Sequence, residues 1–441
     1  MQLLVVTQDF PPAVGGIETY TAELVRRWAH RPGSVHVVAP RLPKAGSVDD
    51  QMPVSVTRVS TRPDALPLFG LPAVMREARR LQADVAFHAQ WQTVGTSLLA
   101  RRLTGYPRQI VCAAHGRELL FNPADSVPGL SATYNRLRRS MLRGPDRFTP
   151  VSHYTADLLK MHGVPSSRLH VVPNGTDPER FHPFDATSLR QSLGLVDKTV
   201  LLTVGRLVPR KGIDTTLHAL PHVLRVVPNL TYLIVGTGPD RDRLEQLATD
   251  LGVAEHVHFV GWVSAEDLPR FYNVADAFVM PSHETASNVE GFGIVFLEAG
   301  ASGVPVVGAR SGGIPDAIRD GETGLLVPPS SPSDLAAALI RLLTASEWAA
   351  RLGRQARRFV VDELSWDRVA DRLWAVLASG VEPHVPVGTE RETPTRLGRP
   401  PVPETGARQE AGESADGLTV EDRDGEDAPS AARTESGAAS A

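Results

Sequence analysis

The sequence predicts an α/β protein built from two successive Rossmann-like units. Two patterns carry this. Short, unbroken apolar runs alternate with amphipathic stretches along the first half, and the same alternation restarts near residue 200. Strands that are apolar throughout, rather than at alternate positions, are buried on both faces, as parallel strands flanked by helices are. The length agrees: 441 residues exceed what one ordinary core organises.

The first unit opens with a strand at residues 3–6 and a helix at 19–28, where Tyr20, Leu24 and Val25 share one face. Strands follow at 35–39, 84–88 and 110–114. The second unit starts with a strand at 200–204 and a helix at 215–224, then a strand at 232–235 and a helix at 240–250. Short strands are expected at 256–259, 277–280 and 305–307. The linker falls within 181–198, which contains Pro183 and no strong strand. Near the end, Trp366, Val369, Leu373 and Leu377 recur at helical spacing, a stripe that ordinarily covers a core. No repeat with a 20–50-residue period is present. The resulting division is a first domain at 1–182, a second at 196–362, a terminal helix at 363–380 and a tail at 381–441.

Hydrophobic residues at 42% and charged residues at 22% place the chain among globular proteins. The single cysteine, Cys112, excludes an intramolecular disulfide and makes a cytoplasmic setting the expectation. The opening residues lack the basic start and apolar run of a signal peptide, and no run of about 18 apolar residues suggests a membrane span. The net charge of −4 conceals a division, because the tail carries 13 acidic against 6 basic residues and leaves the body mildly basic. With no aromatic residue and much Pro, Gly, Ala, Glu and Thr, the tail cannot offset its ordering entropy and is expected to be disordered. No nucleic-acid partner is expected.

The densest group of chemistry-bearing residues is Glu290-Gly-Phe-Gly-Ile-Val-Phe-Leu-Glu298. Its two carboxylates stand a little over two helical turns apart, so both can point toward one cleft. Gly291 and Gly293 precede an apolar helix beginning at Ile294, where free N–H groups and the positive helix end favour an anion. A carboxylate accepts from vicinal hydroxyls, so one acid suits a sugar ring and the other a ribose. A second group, Gly205-Arg206-Leu-Val-Pro-Arg210-Lys211-Gly212, leaves a strand and opens a helix. Arg206 offers a planar fork for phosphate oxygens and Lys211 a mobile point charge; Arg210 reads as the bystander.

Three further motifs are weaker. His115-Gly116 follows a strand at the end where parallel sheets bind ligands, though alone it reads more readily as structural. Gly15-Gly16 is either a backbone loop that approaches a phosphate or acceptor, or a tight turn. Gly312-Gly313-Ile-Pro-Asp316 suits close packing beside a nucleotide or, equally, a simple turn.

Together the runs PPAVGGIET, HGRE, VVPNGTDPERFHP, VGRLVPRKGID, LIVGTGPDRDRL, VHFVGWV, VEGFGIVFLEAGASGVPVVGARSGGIPD and ETGLLVPP, in this order between residues 11 and 329, resemble the retaining GT-B glycosyltransferases of family 4. The resemblance implies two Rossmann-like domains facing a central cleft, with the C-terminal helix crossing back to the first domain. It implies that the first domain is the acceptor side and that the second holds a nucleoside diphosphate sugar, with Arg206 and Lys211 on the diphosphate, Glu290 on the donor sugar and Glu298 on the ribose. His115 approaches the sugar's outer hydroxyls, the Phe292, Gly293 and Ile294 backbone forms the sugar and phosphate loop, Gly261 and Trp262 wall the base pocket, and Gly16 closes over the donor. The implied catalytic set is Glu290, His115, Arg206 and Lys211. No Asp-x-Asp stands at a matching place, so neither metal nor cofactor is expected.

Within that family, residues 283–295 resemble the bacterial phosphatidylinositol mannoside mannosyltransferases, which makes GDP-mannose and a phospholipid or glycolipid acceptor the expectation. Phe292 stands where that subgroup often has Leu. Arg136, Arg138, Arg139, Arg143 and Arg147 beside Leu137, Met141 and Leu142, and Arg76, Arg79 and Arg80, read either as a basic amphipathic surface for peripheral contact with the inner face of the plasma membrane or, more readily, as a solvated helix face with its apolar side in the core. The alternatives are a glycosyltransferase for a soluble acceptor using another sugar nucleotide, and a non-catalytic nucleotide-sugar binder. A NAD-dependent oxidoreductase lacks support, because no complete G-x-G-x-x-G follows the first strand.

Overall fold

A computed structural model describes residues 1–123 and 130–380; the tail at 381–441 lies outside the described residues, and with it the expectation of disorder there. Strands β1 (Gln2–Val6), β2 (Ser34–Pro40), β3 (Ser55–Val59), β4 (Val85–His88), β5 (Gln109–Ala114) and β6 (Arg147–Pro150) form one parallel sheet in the order β3-β2-β1-β4-β5-β6. Strands β7 (Thr199–Val204), β8 (Leu230–Val235), β9 (Val257–Gly261), β10 (Ala277–Met280), β11 (Val306–Ala309) and β12 (Gly324–Val327) form a second, in the order β12-β11-β10-β7-β8-β9. Each sheet reverses its winding once, between β1 and β4 and between β7 and β10. Crevices at the carboxyl ends of such switch points are where α/β sheets bind ligands.

The interior strands are those that the apolar runs predicted. Leu3, Leu4, Val5 and Val6 have no exposed surface, and Leu201 and Leu202 are buried in the same way. The unforeseen strands β3, β6 and β12 all lie at sheet edges. An edge strand meets a neighbour on one side only, so it does not need a continuous apolar run: SVTRV in β3 is only half-buried, and RFTP in β6 opens on arginine.

The stretch expected as a linker is docked. Phe181 is buried against Tyr272 with ring centroids 5.7 Å apart. The short helix Thr187–Ser192 is held to the second sheet by Arg190, which donates to Val274 O at 3.1 Å and Asp276 Oδ2 at 2.6 Å. At the other end, helix Trp366–Ala378 is capped by Ser365 and lies against helix Gly16–Trp28 of the first unit. Trp28 Nε1 donates to Ala370 O at 3.2 Å and Arg27 Nε to Asp367 Oδ1 at 2.8 Å. Backbone bonds Thr176 N to Leu364 O and Trp366 N to Thr176 O, both 3.0 Å, seat the crossing segment. Gly175 makes this approach possible, since a Cβ there would sit 2.9 Å from the Trp366 ring.

Candidate active site

The carboxyl ends of the two sheets share a cleft of about 750 Å³. On the second-sheet side, the chain leaves β7 at Gly205 and makes a single turn at Pro209–Lys211 before helix Ile213–Leu224. That turn swings Lys211 back along Gly205, and the residue is 8% exposed. Its Nζ donates to Glu290 Oε2 at 2.6 Å, and Arg210 Nη1 donates to the same oxygen at 2.8 Å. Glu290 comes from the loop after β10, so the two partners meet at the β7/β10 switch point.

Burial works to raise the Glu290 pKa, but the charges and hydrogen bonds of Lys211 and Arg210 outweigh it and bring the carboxyl down to about 2. The same burial lowers the Lys211 ammonium below its ordinary value, with Glu290 opposing the shift and Arg210 adding to it. The expectation that Arg210 is a bystander is therefore corrected: it lines the cleft and shares Glu290 with Lys211. Glu290 Oε1 and the exposed Arg206 guanidinium take no hydrogen bond among the described residues, and both residues line the cleft. Two arginines and a lysine against one glutamate leave this wall positive.

The positive wall is completed by backbone. Gly293, at φ +96°, turns the chain into helix Ile294–Ala301, whose N-terminal residues Ile294 and Val295 line the cleft. The Phe292 side chain is buried in the core, so what it presents to the cleft is backbone. Gly291 lies against the opposite loop, and a Cβ there would fall 1.7 Å from His115 O. Gly312 and Gly313 pack under the same loop, where added Cβ atoms would meet Glu290 O at 2.4 Å and Gly291 O at 1.9 Å. The glycine pair forms a turn, as one of its two readings had it, and that turn packs against the 290–291 backbone.

The first-sheet wall differs in chemistry. His115, just past β5, donates from Nε2 to Ala89 O at 3.1 Å and packs edge-on to Tyr20 at 4.9 Å. Burial lowers its pKa against the pull of Glu118, so the ring is neutral and Nδ1 is the nitrogen left with a lone pair. Glu118 Oε1 accepts from His115 N at 2.6 Å. Asp9, Glu18, Gln90 and Gln92 line the same wall. Burial raises the Asp9 pKa, opposed by a Gln90 hydrogen bond and His115, and raises that of Glu18. Gly16 stands across from the second unit, with an added Cβ 4.0 Å from Ile294 Cδ1.

Of the residues singled out in the sequence, the cleft gathers Gly16, His115, Arg206, Lys211, Glu290, Phe292, Gly293 and Ile294. Gly261, Trp262 and Glu298 are not among its lining. Gly261 ends β9 and its carbonyl accepts from Gly236 N at 2.7 Å, while Trp262 beyond it is 74% exposed. Glu298 is half-buried and its Oε2 accepts from the Tyr272 hydroxyl at 2.6 Å; burial raises its pKa, with the Tyr272 bond and Arg180 opposing. Sequence reading missed Asp9, Glu18, Gln90, Gln92 and Glu118. The available signal was position, since each follows a strand end or opens the helix after one.

Two parallel sheets with their switch points on one polar cleft, one wall cationic and the other acidic, define a two-Rossmann-unit transferase architecture of the GT-B kind. A crystal structure of Anabaena Alr3699/HepE in complex with UDP has this fold, with a TM-score of 0.72 at 22% identity over 86% of this chain and 100% of that one. The signature of Glycosyltransferase Family 4 matches residues 14–180 and that of Glycosyl transferases group 1 matches 185–359. A GDP-mannose-dependent alpha-(1-6)-phosphatidylinositol monomannoside mannosyltransferase of Mycobacterium tuberculosis is 37% identical over 385 residues, covering 84% of this chain and 97% of the relative. A D-inositol 3-phosphate glycosyltransferase of Geodermatophilus obscurus is 34% identical over 415 residues, covering 88% and 89%. The chain belongs to the family 4 glycosyltransferases and is a hexosyltransferase.

Proposed function

We propose that this enzyme transfers mannose from GDP-mannose to a phosphatidylinositol-type glycolipid, with retention of configuration and without a metal ion. The observation that carries the mechanism is the placement of Glu290, which Lys211 and Arg210 fix through one oxygen while the other remains available to a sugar hydroxyl. Arg206, Lys211 and the N-terminus of helix Ile294–Ala301 neutralise the leaving diphosphate, the work a divalent cation does elsewhere. The neutral His115 ring faces the sugar's outer hydroxyls. A donor phosphate oxygen takes the acceptor's proton, so attack occurs on the face the diphosphate leaves. The nature of donor and acceptor is supported by the mycobacterial relative.

A lipid acceptor also needs a surface that meets the bilayer, and among the described residues no helix is long and apolar enough to cross one. Helices Leu66–Phe69 and Leu130–Leu142 both border helix Val94–Thr104. These three helices expose Leu68 (76%), Phe69 (63%), Leu103 (60%) and Leu137 (52%), and Arg102, Arg136, Arg139 and Arg143 in the same region of the chain are exposed as well. This face lies on anionic lipid. Arg138 and Arg147 do not contribute: Arg138 is buried and donates to Leu119 O at 2.6 Å, and Arg147 donates to Val376 O at 3.0 Å. Arg76 and Arg80 are partly neutralised by Glu77.

The test is a transfer assay in EDTA with GDP-mannose against UDP-glucose, and phosphatidylinositol monomannoside against D-inositol 3-phosphate. Mannosyl transfer to the lipid, with an α-linked product by NMR, is the expected result. Transfer only to the inositol phosphate, or only after a divalent metal is restored, would overturn the reading.

A further inference from the structure

His88 is a buried titratable group that the mechanism above does not use. It ends β4, has no exposed surface, and is joined to Ala89, whose carbonyl accepts from His115 Nε2 at 3.1 Å. The residues that follow, Ala89-Gln-Trp-Gln-Thr93, turn the chain into helix Val94–Thr104, and Gln90 and Gln92 of this turn line the cleft. The turn is held only slackly to β1: Ala89 N reaches Val6 O at 3.3 Å, beyond the usual range of an amide–carbonyl bond. Two side chains do the rest. Trp91 Nε1 donates to Glu118 O at 3.0 Å, and His88 Nδ1 meets Thr93 Oγ1 at 2.7 Å across the turn.

The hydrogens of this turn can be counted. Thr93 carries one hydroxyl hydrogen, and its Oγ1 also lies 3.1 Å from Gln90 O, which can only accept. With that hydrogen on Gln90 O, His88 donates from Nδ1, both contacts are hydrogen bonds, and the one atom left over is Nε2 as an acceptor. With it on Nδ1 instead, Gln90 O loses this donor and Nε2 carries a hydrogen that nothing accepts, because Nε2 is buried with no partner. The first arrangement leaves fewer buried groups unsatisfied, so His88 is the Nδ1–H tautomer. Protonation would put the same unmatched hydrogen on Nε2, and burial lowers the His88 pKa to about 3. His88 is thus a fixed donor where an ordinary histidine changes charge.

We propose that His88 is a positioning residue for His115. By donating to Thr93 it sets the Ala89–Thr93 turn, and the first carbonyl of that turn holds His115 as the Nε2–H tautomer, leaving the Nδ1 lone pair for a sugar hydroxyl. The role of His115 at the sugar rests on the transferase reading above; the relay from His88 through Thr93 to Ala89 does not.

The test compares the full-length wild type with Thr93→Val, which keeps the shape and removes the hydroxyl, and Thr93→Ser, which restores it. Histidine-selective 15N NMR, with signals assigned by replacing one histidine at a time, reads the tautomers; steady-state kinetics with GDP-mannose reads transfer. In the wild type, His88 is expected as Nδ1–H with no titration between about pH 5 and 8, and His115 as Nε2–H. Thr93→Val should bring His115 to a mixture of tautomers and lower kcat about tenfold, roughly the worth of one hydrogen bond. Its KM for GDP-mannose should change less than about twofold, because the cationic wall is untouched. Thr93→Ser should recover both tautomer and kcat. A wild-type His88 that carries its hydrogen on Nε2, or that titrates near its ordinary 6.5, would overturn the relay without any variant having to fold. So would an unchanged His115 tautomer in folded Thr93→Val, or a loss of kcat that Thr93→Ser does not recover. Tautomers as stated in a wild type that transfers no mannose keep the relay and remove the transferase reading; mannose transfer by a wild type whose His88 titrates does the reverse.

Discussion

Lys211 Nζ and Glu290 Oε2 lie 2.6 Å apart although 79 residues separate them in sequence. Each enters from a different loop at the β7/β10 switch point, and Arg210 closes the group from the other side at 2.8 Å. Lys211→Ala removes the buried cation, leaves Glu290 paired to Arg210 alone and takes away charge from the diphosphate. Turnover is expected to fall by about 10²–10³, as for loss of one preorganised electrostatic donor. Arg210→Ala is expected to have a smaller effect, because Lys211 remains. Steady-state kcat for mannosyl transfer measures both; equal kcat in Lys211→Ala and wild type would remove Lys211 from the mechanism.

The same triad sets how stability depends on pH. The Glu290 carboxyl is held at about 2 against an ordinary 4.5. Its folded value lies below the unfolded one, so its contribution to stability is complete above about pH 4.5 and is lost as pH falls toward 2. Glu290→Gln should therefore flatten the acid side of the stability curve, measured as urea midpoints from pH 5 downward. Activity should fail earlier in acid than Glu290 protonates, because burial raises the pKa of Asp9 and Glu18 on the other wall. Asp9→Asn should simplify the acid limb of kcat/KM. An unaltered limb would place its titration elsewhere.

How far these features were legible follows from where they sit. Strands β1, β4, β5, β7, β8 and β10 are flanked by strands on both sides and announce themselves as apolar runs, whereas β3, β6 and β12 lie at edges and do not. Glu290, Lys211, Arg206 and His115 stood out because each follows a strand in a glycine-bearing turn. What could not be read was which atoms would meet. Arg210 and Lys211 are adjacent, and only the turn at Pro209–Lys211 makes both face Glu290. The acidic wall was illegible for a related reason: Asp9, Gln90 and Glu118 lie in three separate segments that only the sheet order β1-β4-β5 brings together.

Gly291 and His115 give a test of how closely the two units approach. A Cβ on Gly291 would fall 1.7 Å from His115 O, and the obstacle is backbone, which cannot turn aside as a side chain does. Gly291→Ala must then push the 290–293 loop from the His115 loop and displace both Glu290 and the N-terminus of helix Ile294–Ala301. A misplacement on the order of 1 Å costs about 10²-fold in rate. The expected outcome is a loss of that size in kcat with each sheet's secondary structure intact by circular dichroism. Near-normal turnover would mean that catalysis does not require this approach.

Trp366 links the crossing helix to the site. It is 2% exposed, packs against the Tyr20 ring at 6.0 Å, and Tyr20 in turn packs edge-on to His115 at 4.9 Å. Gly175 leaves room for its ring, which a Cβ there would meet at 2.9 Å. Trp366→Ala should cost about 3–5 kcal/mol in unfolding free energy, from lost burial and the cavity left behind. It should also free Tyr20, and with it the His115 ring, so that kcat falls further than the folded fraction at the assay temperature explains. Trp366→Phe keeps an aromatic face toward Tyr20 and should recover most of the activity while remaining less stable than wild type. Denaturant unfolding and kcat measured on the three proteins separate the two effects. If activity follows stability alone across the series, the crossing helix only supports the fold; if Trp366→Phe regains turnover out of proportion to its stability, the contact through Tyr20 positions His115.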